Sequence, residues 1–251
     1  MSRPRVVTFN VMSIDGRLTI APEVSLLAGD PRWTAVAGDS DPYEWVRDVH
    51  DPEILLEGSG SFVAADAPPI AYLPYVGDPD PLYEDFLPEE IVAVAGRRWL
   101  ALVDGRGRVQ LQFKEWPEPG WEGWHALMVT SRAVAPAHLA WLREQGIPYL
   151  VAGPGPVDLA AMLDRFADRL GVATVVSTAG GQLNGALLRA GLVDEIDVEL
   201  IPAAIGGRGT PALFDAPPLR PDEEPVPLRL LSDAVTGDGH VMLRYAVADR
   251  D

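Results

Sequence analysis

The stretch of sequence that decides the fold runs from Val175 to Leu188 and reads VVSTAGGQLNGALL. A strand-like apolar run comes first, a Gly-Gly turn follows, and a helical run completes the unit. Ligands of open α/β sheets bind beyond the carboxyl ends of parallel strands, where glycine lets backbone amides approach a phosphate. The amides near Gly180 to Leu183 would therefore point at an anion. The alternative is a tight connection that needs the left-handed conformation of glycine. Neither the GxGxxG dinucleotide motif nor a Walker loop is present.

Strand-like and helical runs alternate along the rest of the chain, which predicts an α/β fold with a largely parallel sheet. The predicted strands cover residues 5–12, 53–57, 99–103, 126–130, 148–152, 173–177, 195–201, 226–235 and 240–247. The predicted helices cover residues 42–51, 136–145, 157–170 and 183–190. The last two strands are expected to form an antiparallel hairpin through Thr236–Gly239. We interpret 1–251 as a single domain with an insertion at about 67–90, and a lid is one role for that insertion.

The composition argues against several classes of protein. Hydrophobic residues make up 47% and charged residues 23% of the chain, as in ordinary globular proteins. Cysteine is absent and the four histidines are scattered, so neither disulfides nor a metal site is expected. A formal net charge of −17 opposes binding to nucleic acid. We find neither a membrane-spanning apolar run nor a signal peptide, which leads us to expect a cytoplasmic protein that does not contact the membrane.

Three further glycine-bearing turns follow predicted strands. Asp15-Gly16-Arg17 comes after the first strand, Gly58-Ser59-Gly60-Ser61 after the second, and Gly206-Gly207 after strand 195–201. Each could serve a ligand at the carboxyl end of a strand. Each could also be an ordinary turn, with the Asp15 side chain bonded to nearby backbone.

The order of these turns, followed after the Gly-Gly turn by Leu192-Val193-Asp194-Glu195, resembles the C-terminal reductase domain of the riboflavin-biosynthesis deaminase/reductase. Residues 183–195 are the most specific part of this resemblance. Stand-alone diaminopyrimidine reductases and, more distantly, dihydrofolate reductase are relatives of that family. The resemblance implies a dihydrofolate-reductase-like three-layer fold, with a mixed, mostly parallel sheet and flanking helices, in a homodimer that binds NADPH across the strand ends. No His-x-Glu motif occurs, so no deaminase domain is expected.

The resemblance also implies where NADPH is held. The Gly-Gly turn would cradle the pyrophosphate, and the Gly-Ser-Gly-Ser turn would lie near the nicotinamide. An arginine at the adenosine end could bind the 2′-phosphate bidentately and select NADP over NAD. The implied cofactor-binding residues are Met12, Gly58, Gly60, Ser61, Arg106, Ser131, Arg132, Thr178, Gly180, Gly181, Gln182 and Leu183.

The family reaction reduces a ribosylamino group, as its ring-opened imine, to ribitylamino by hydride transfer from NADPH. By resemblance, Asp66 and Asp15 are the catalytic candidates, and Asp66 would position the substrate or handle a proton. Arg17, Trp33, Asp66 and Thr178 would contact the substrate. Thr178 departs from the family pattern, which usually has Glu at this position, and a neutral hydroxyl cannot hold a donor-rich pyrimidine edge as a carboxylate does.

Three functions therefore remain open. The first is an NADPH-dependent reductase of riboflavin biosynthesis, similar to 5-amino-6-(5-phosphoribosylamino)uracil reductase. The second is an NADPH-dependent reductase of another heterocycle, either pterin-like or a specialised metabolite, and Thr178 favours it. The third is a nucleotide-binding protein without turnover.

Overall fold

A computed structural model describes residues 2–24, 30–38, 42–64, 66–94, 96–117 and 121–248 of the chain. The strands are β1 (Arg5–Ser13), β2 (Ile54–Gly58), β3 (Arg98–Val103), β4 (Trp124–Thr130), β5 (Tyr149–Val151), β6 (Thr174–Ser177), β7 (Glu195–Ile201), β8 (Leu228–Val235) and β9 (Val241–Val247). The α-helices are α1 (Pro31–Ala37), α2 (Pro42–His50), α3 (Glu89–Val92), α4 (Pro136–Gln145), α5 (Leu159–Leu170) and α6 (Gly181–Arg189). Short 3₁₀ turns cover Ser59–Ser61 and Asp80–Tyr83.

The chain divides into two compact units. Unit 1 comprises Met1–Pro4 and Pro52–Val175, and unit 2 comprises Arg5–Asp51 and Val176–Asp251. Strand β6 begins in unit 1 and ends in unit 2. The single domain with an insertion, expected from the sequence, stays a prediction.

Unit 1 contains four parallel strands in the order β5-β4-β3-β2. Every residue of β4 is buried, as expected for a parallel strand covered on both faces. Local signals set the ends of the helices. Helix α4 starts with Pro136 in its first turn, and α5 starts where the Asp158 carboxylate accepts the Ala161 N–H at 3.0 Å. Both helices end at a left-handed glycine, Gly146 after α4 and Gly171 after α5.

Unit 2 contains strands in the order β6-β1-β7-β9-β8. Strands β1 and β7 are parallel, whereas β9 runs antiparallel to both β7 and β8. The strands β8 and β9 form the predicted C-terminal hairpin, with a register shift between Leu230 and Ser232. The prediction of an α/β fold with a mixed, mostly parallel sheet and a C-terminal antiparallel hairpin is therefore confirmed.

The second half of the predicted insertion is part of the core of unit 1. Phe86 and Tyr149 exchange two backbone hydrogen bonds of 2.9 Å, and the Tyr149 hydroxyl donates to the Leu82 carbonyl at 2.6 Å. The Asp85 carboxylate accepts the Val151 N–H at 2.9 Å. Because β5 ends the strand order of this unit, residues 82–86 cover backbone groups that an open sheet edge would expose.

The helices that the structure describes are short compared with a membrane-spanning helix. The longest of them, α5, has 12 residues. Spanning the hydrocarbon core of a bilayer takes about 20 apolar residues. Among the residues that the structure describes, no helix therefore meets the requirements for crossing a membrane.

Candidate functional site

Three turns lie side by side in unit 1 because β2, β3 and β4 are parallel neighbours. Their carboxyl ends lead into Gly58–Ser61, Asp104–Arg108 and Ser131–Arg132. We call these residues the unit 1 turns. They bring together six predicted cofactor-binding residues, which are Gly58, Gly60, Ser61, Arg106, Ser131 and Arg132.

Hydrogen bonds of two buried charged residues, Asp104 and Arg108, organise the unit 1 turns. The Asp104 carboxylate accepts backbone hydrogen bonds from Arg106 at 3.3 Å, from Val109 at 2.7 Å and from Arg108. The Arg108 guanidinium donates to the Ser59 hydroxyl and, at 3.1 Å, to the Ala64 carbonyl. Burial lowers the pKa of Arg108, and the nearby Arg106 adds to this effect. One arginine therefore connects the turn after β3 to both ends of the segment after β2.

Sequence reasoning selected Arg106 from this turn and missed Arg108. The structure buries Arg108 and leaves Arg106 exposed. Asp66 is also exposed. It lies two residues after Ala64, whose carbonyl accepts a hydrogen bond from Arg108. Arg108 is thus placed to fix the backbone that carries Asp66. Two arginines separated by one glycine look alike in a sequence, so no local pattern distinguishes the buried one.

The serines of the unit 1 turns are buried and bonded. Ser61 donates its hydroxyl hydrogen to Glu57 Oε2 at 2.6 Å, and both side chains are buried. Ser131 accepts the Ala133 N–H at 3.3 Å. These bonds fix the two turns.

Arg132 presents a cation at the end of β4. Its side chain is 51% exposed and lies over the Tyr83 ring, with the guanidinium carbon 4.8 Å from the ring centroid. Asp80 Oδ1 lies 3.8 Å from Arg132 Nη2. The Arg132 N–H donates to the Gly153 carbonyl at 3.0 Å, which fixes the backbone from which the side chain projects.

The turn after β1 in unit 2 is tied to the loop after β7 by Asp15. The Asp15 carboxylate accepts the N–H groups of Ile205 at 2.9 Å and Gly206 at 2.7 Å, and the Ser13 hydroxyl at 2.7 Å. The hydrogen bonds from Ile205, Ser13 and Gly206 lower the pKa of Asp15 to about 2. Asp15 is therefore an anion at neutral pH and acts as an acceptor. A general acid needs a pKa near the working pH.

Two other predicted residues lie next to Asp15, one at the end of β1 and one in the turn. Met12 is the penultimate residue of β1 and is partly buried. Arg17 donates from Nη1 to the Thr210 carbonyl at 3.0 Å, and its Nε lies 3.7 Å from Asp15 Oδ2. The turn after β1 and the loop after β7 are thus joined at both Asp15 and Arg17.

The Gly-Gly turn begins α6, and glycine is needed there for a reason other than the one that the sequence suggested. Gly180 is the N-cap with φ of −69°, and Gly181 is the first helical residue, so the left-handed alternative is wrong. A Cβ on Gly181 would lie 2.0 Å from the Ala212 carbonyl oxygen and 2.8 Å from the Asp215 nitrogen. Glycine is required here because the backbone of residues 212–215 passes against the helix.

The amino end of α6 has the properties of an anion site. Its N-cap residue is Gly180, which has no side chain to bond the amides of the first turn. The first amides of a helix lack partners within the helix and carry its positive dipole end. Gly181, Gln182 and Leu183 supply these amides, which is the arrangement that binds phosphate groups in proteins.

A buried amide network holds the connection from β6 to α6. Asn184 accepts the Ser177 hydroxyl at 2.6 Å, and it donates to Asn10 Oδ1 at 2.9 Å and to the Ala179 carbonyl at 2.8 Å. Asn10 in turn donates to the Ala179 carbonyl at 3.1 Å. Thr178 is buried within this connection. The network therefore fixes the predicted residues Thr178 and Gly180 against β1.

Trp33, a predicted substrate contact, lies on α1 and is partly buried. The structure thus gathers the predicted residues at the carboxyl ends of strands in each unit, with Trp33 on a separate helix and Asp66 in an exposed turn. Their assignments to cofactor, substrate and catalysis stay predictions.

His50, Glu195 and Asp197 form a buried group whose ligand atoms lie within 4.8 Å of one another. Arg5 and Arg244 both donate to Glu195, and Arg244 Nε lies 3.3 Å from Asp197 Oδ2. His50 Nε2 lies 2.7 Å from the same oxygen. Since two guanidinium groups already balance the two carboxylates, we interpret this group as an ion-pair network. It lies near the amino ends of β1 and β7, whereas the turn that carries Asp15 follows the carboxyl end of β1.

Comparison with solved structures shows which known proteins share this fold. A pyrimidine reductase-like protein from Corynebacterium diphtheriae superposes with a TM-score of 0.66 at 16% identity, over 98% of this chain and 93% of that one. At this identity the likeness shows the fold alone. The chain therefore has the α/β fold of a pyrimidine reductase-like protein.

Sequence comparison then gives the family. Residues 100–242 match the family described as the RibD C-terminal domain, and the chain belongs to this family. Riboflavin biosynthesis protein RibD from Chlamydia muridarum is 30% identical over 115 residues, which are 45% of this chain and 30% of that protein. The 2,5-diamino-6-ribosylamino-4(3H)-pyrimidinone 5′-phosphate reductase from Methanothermobacter thermautotrophicus is 30% identical over 117 residues, 47% of this chain and 53% of that protein. The aligned part thus spans about half or less of each relative.

Proposed function

We propose that the chain is an NADPH-dependent reductase that reduces the ribosylamino side chain of a pyrimidine intermediate of riboflavin biosynthesis. The observation that carries this proposal is the amino end of α6, whose first-turn amides are not bonded by an N-cap side chain, in a chain of the RibD C-terminal domain family. An uncapped helix start at the end of a strand suits the pyrophosphate of a dinucleotide.

The residues present fit such a cofactor. The amides of Gly181, Gln182 and Leu183 would hold the pyrophosphate, with Gly180 and Thr178 beside them. Gly58, Gly60, Ser61 and the backbone of Met12 are assigned to the nicotinamide half. Arg106, Ser131 and Arg132 are assigned to the adenosine 2′-phosphate. Both arginines are exposed on a chain whose net charge of −17 otherwise repels an anion, so local donors have to attract it.

The bound cofactor supplies hydride, and the side chains of this protein orient the acceptor. Asp66 is the candidate that positions the substrate or moves a proton, because it is exposed on backbone that Arg108 holds. Asp15 is assigned to the reaction as an anion that accepts hydrogen bonds, in keeping with its lowered pKa. Arg17, Trp33 and Thr178 are the remaining candidates for substrate contact.

A second candidate function is favoured by Thr178. This buried residue offers a hydroxyl where the resemblance leads us to expect a carboxylate. A reductase of another heterocycle, pterin-like or a specialised metabolite, would keep the cofactor site and change this contact. A nucleotide-binding protein without turnover is the third candidate.

We also propose that the protein is a cytoplasmic homodimer that uses the hairpin of β8 and β9. Strand β8 ends the strand order of unit 2, and all eight of its residues are exposed. Its exposed apolar side chains include Leu228, Leu230, Leu231 and Val235. Apolar side chains on an open edge strand favour pairing with another chain. Light scattering on the wild type and on Leu230→Lys tests this: we expect a dimer for the wild type and a monomer for the variant.

The first experiment titrates the protein with NADPH and with NADH and follows tryptophan fluorescence. We then measure the loss of dihydronicotinamide absorbance with the riboflavin intermediate and with pterin-like acceptors. NADPH oxidation that depends on the riboflavin intermediate supports the main proposal. Oxidation with another heterocycle alone supports the second candidate, and binding without oxidation supports the third. Failure of both nucleotides to bind overturns the cofactor assignment.

A further inference from the structure

We propose that Tyr83 and Asp80, both from the segment predicted as an insertion, set the preference of this protein for NADPH over NADH by controlling Arg132. This inference rests on the proposed function and goes beyond it, because it assigns cofactor selection to residues that have no expected contact with the nucleotide. Tyr83 and Asp80 are positioning residues in this proposal.

The Tyr83 ring supports the Arg132 guanidinium. The guanidinium carbon lies 4.8 Å from the ring centroid, inside the range of a cation–π contact. The Tyr83 hydroxyl donates to the Val134 carbonyl at 3.0 Å, which joins the ring to the turn that carries Arg132. A guanidinium already held in place loses less conformational freedom when it binds an anion. Tyr83 therefore favours binding of a 2′-phosphate.

Asp80 acts in the opposite direction. Its carboxylate oxygen lies 3.8 Å from Arg132 Nη2, and its side chain is 81% exposed. An anion that binds Arg132 has to displace this carboxylate or share the guanidinium with it. The exposed pair is weak, so it lowers affinity without blocking the site.

The backbone around these residues is anchored independently of a ligand. Leu82 between them is buried in the core of unit 1, and the Arg143 guanidinium donates to the Pro81 carbonyl at 2.6 Å. The Asp80–Tyr83 turn is therefore held in place at its two middle residues. Changes at Asp80 can be made without touching the core.

The experiment measures dissociation constants for NADPH and NADH on the wild type, Tyr83→Leu, Tyr83→Phe, Asp80→Asn and Arg132→Ala. Tyr83→Leu should raise the dissociation constant for NADPH about two- to fivefold, the range expected from loss of one exposed cation–π contact. Tyr83→Phe retains the ring and loses the hydrogen bond to Val134, so it should keep more of the NADPH preference than Tyr83→Leu. Asp80→Asn should lower the dissociation constant for NADPH about twofold, because it removes a weak exposed ion pair that competes for Arg132. NADH affinity should stay unchanged in the Tyr83 and Asp80 variants, which also shows that these variants are folded.

The outcomes separate this inference from the proposed function. A wild type that does not distinguish NADPH from NADH, or that binds neither, overturns both. If Arg132→Ala removes the NADPH preference while Tyr83→Leu and Asp80→Asn retain it, the proposed function stands and the inference fails. Shifts of the NADPH-to-NADH ratio in opposite directions for Tyr83→Leu and Asp80→Asn support the inference. If Tyr83→Leu merely disturbs the structure, it should weaken the binding of both nucleotides equally, and that result also counts against the inference.

Discussion

Replacement of Gly181 by alanine should destabilise the protein, although alanine is the better helix former. The added Cβ would lie 2.0 Å from the Ala212 carbonyl oxygen, whereas ordinary contacts begin at 3.4 Å. The backbone of α6 or of residues 212–215 must therefore move by about 1.4 Å, the difference between these two distances. Because both partners are backbone atoms, no side-chain rotation can relieve the overlap.

The size of the effect follows from three contributions. Overpacking costs about 3 kcal/mol at the upper end of its usual range. The displacement also weakens the 2.9 Å hydrogen bond from the Asp215 N–H to the Gly181 carbonyl, worth about 1 kcal/mol. The helix propensity of alanine offsets about 1 kcal/mol. The net loss of about 3 kcal/mol corresponds to a fall in Tm of about 6–12 °C for a chain of this size.

Thermal unfolding followed by circular dichroism, without nucleotide, measures this fall. Gly155→Ala is the matched control, since a Cβ there meets no atom within 4 Å and Gly155 is not left-handed. We expect its Tm to equal or slightly exceed that of the wild type. A free energy of unfolding for Gly181→Ala that lies within about 1 kcal/mol of the wild-type value would refute the reasoning. The glycine would then serve something other than close packing.

Three other perturbations address the networks described above. Glu195→Gln removes the carboxylate that Arg5 and Arg244 share and leaves Arg244 with Asp197; the two arginine side chains are 42% and 26% exposed. Because the two arginines are partly exposed, the cost is smaller than for a fully buried pair. We expect the free energy of unfolding, measured in urea, to fall by about 2–3 kcal/mol. A fall below about 0.5 kcal/mol contradicts the ion-pair interpretation. Asn184→Ala removes the partner of three buried groups and should reduce the free energy of unfolding by about 2–4 kcal/mol, so a neutral result in the same assay would count against the network. Because the pKa of Asp15 is lowered in the folded state, its stabilising effect is complete above its usual pKa of 3.8 and is lost as the pH falls toward about 2. Asp15→Asn should reduce the acid sensitivity of unfolding in this window, and an unchanged pH profile would disprove the assignment.

Local patterns in the sequence predict most of the fold. The strands and the C-terminal hairpin follow apolar runs bounded by turns, and α4 and α5 follow proline, aspartate and glycine signals at their ends. Helix α1 was missed even though Asp30 and Pro31 supply a start signal. It has seven residues, fewer than the window of about 11 over which a helical repeat of apolar residues can be read in a sequence.

The candidate site could be predicted only in part, because its geometry depends on contacts between distant residues. Glycine turns after strands indicate where a ligand can bind, and the resemblance supplies roles for them. Neither shows that Asp15 bonds to Ile205, 190 residues away, or that Arg108 is the buried arginine. Gly181 is another example, since the backbone it meets lies about thirty residues further along the chain.

The exposed part of the predicted insertion has a consequence for how the sequence can change. The Ile70 N–H donates to the Gly107 carbonyl at 2.9 Å, and the segment enters the core again at Leu82. Between these anchors, Leu73 is 89% exposed and Val76 is 93% exposed. Doubling the length of a surface loop costs only about 0.6 kcal/mol. Residues 73–78 are therefore a place where an affinity tag or a reporter peptide can be inserted while the fold is retained.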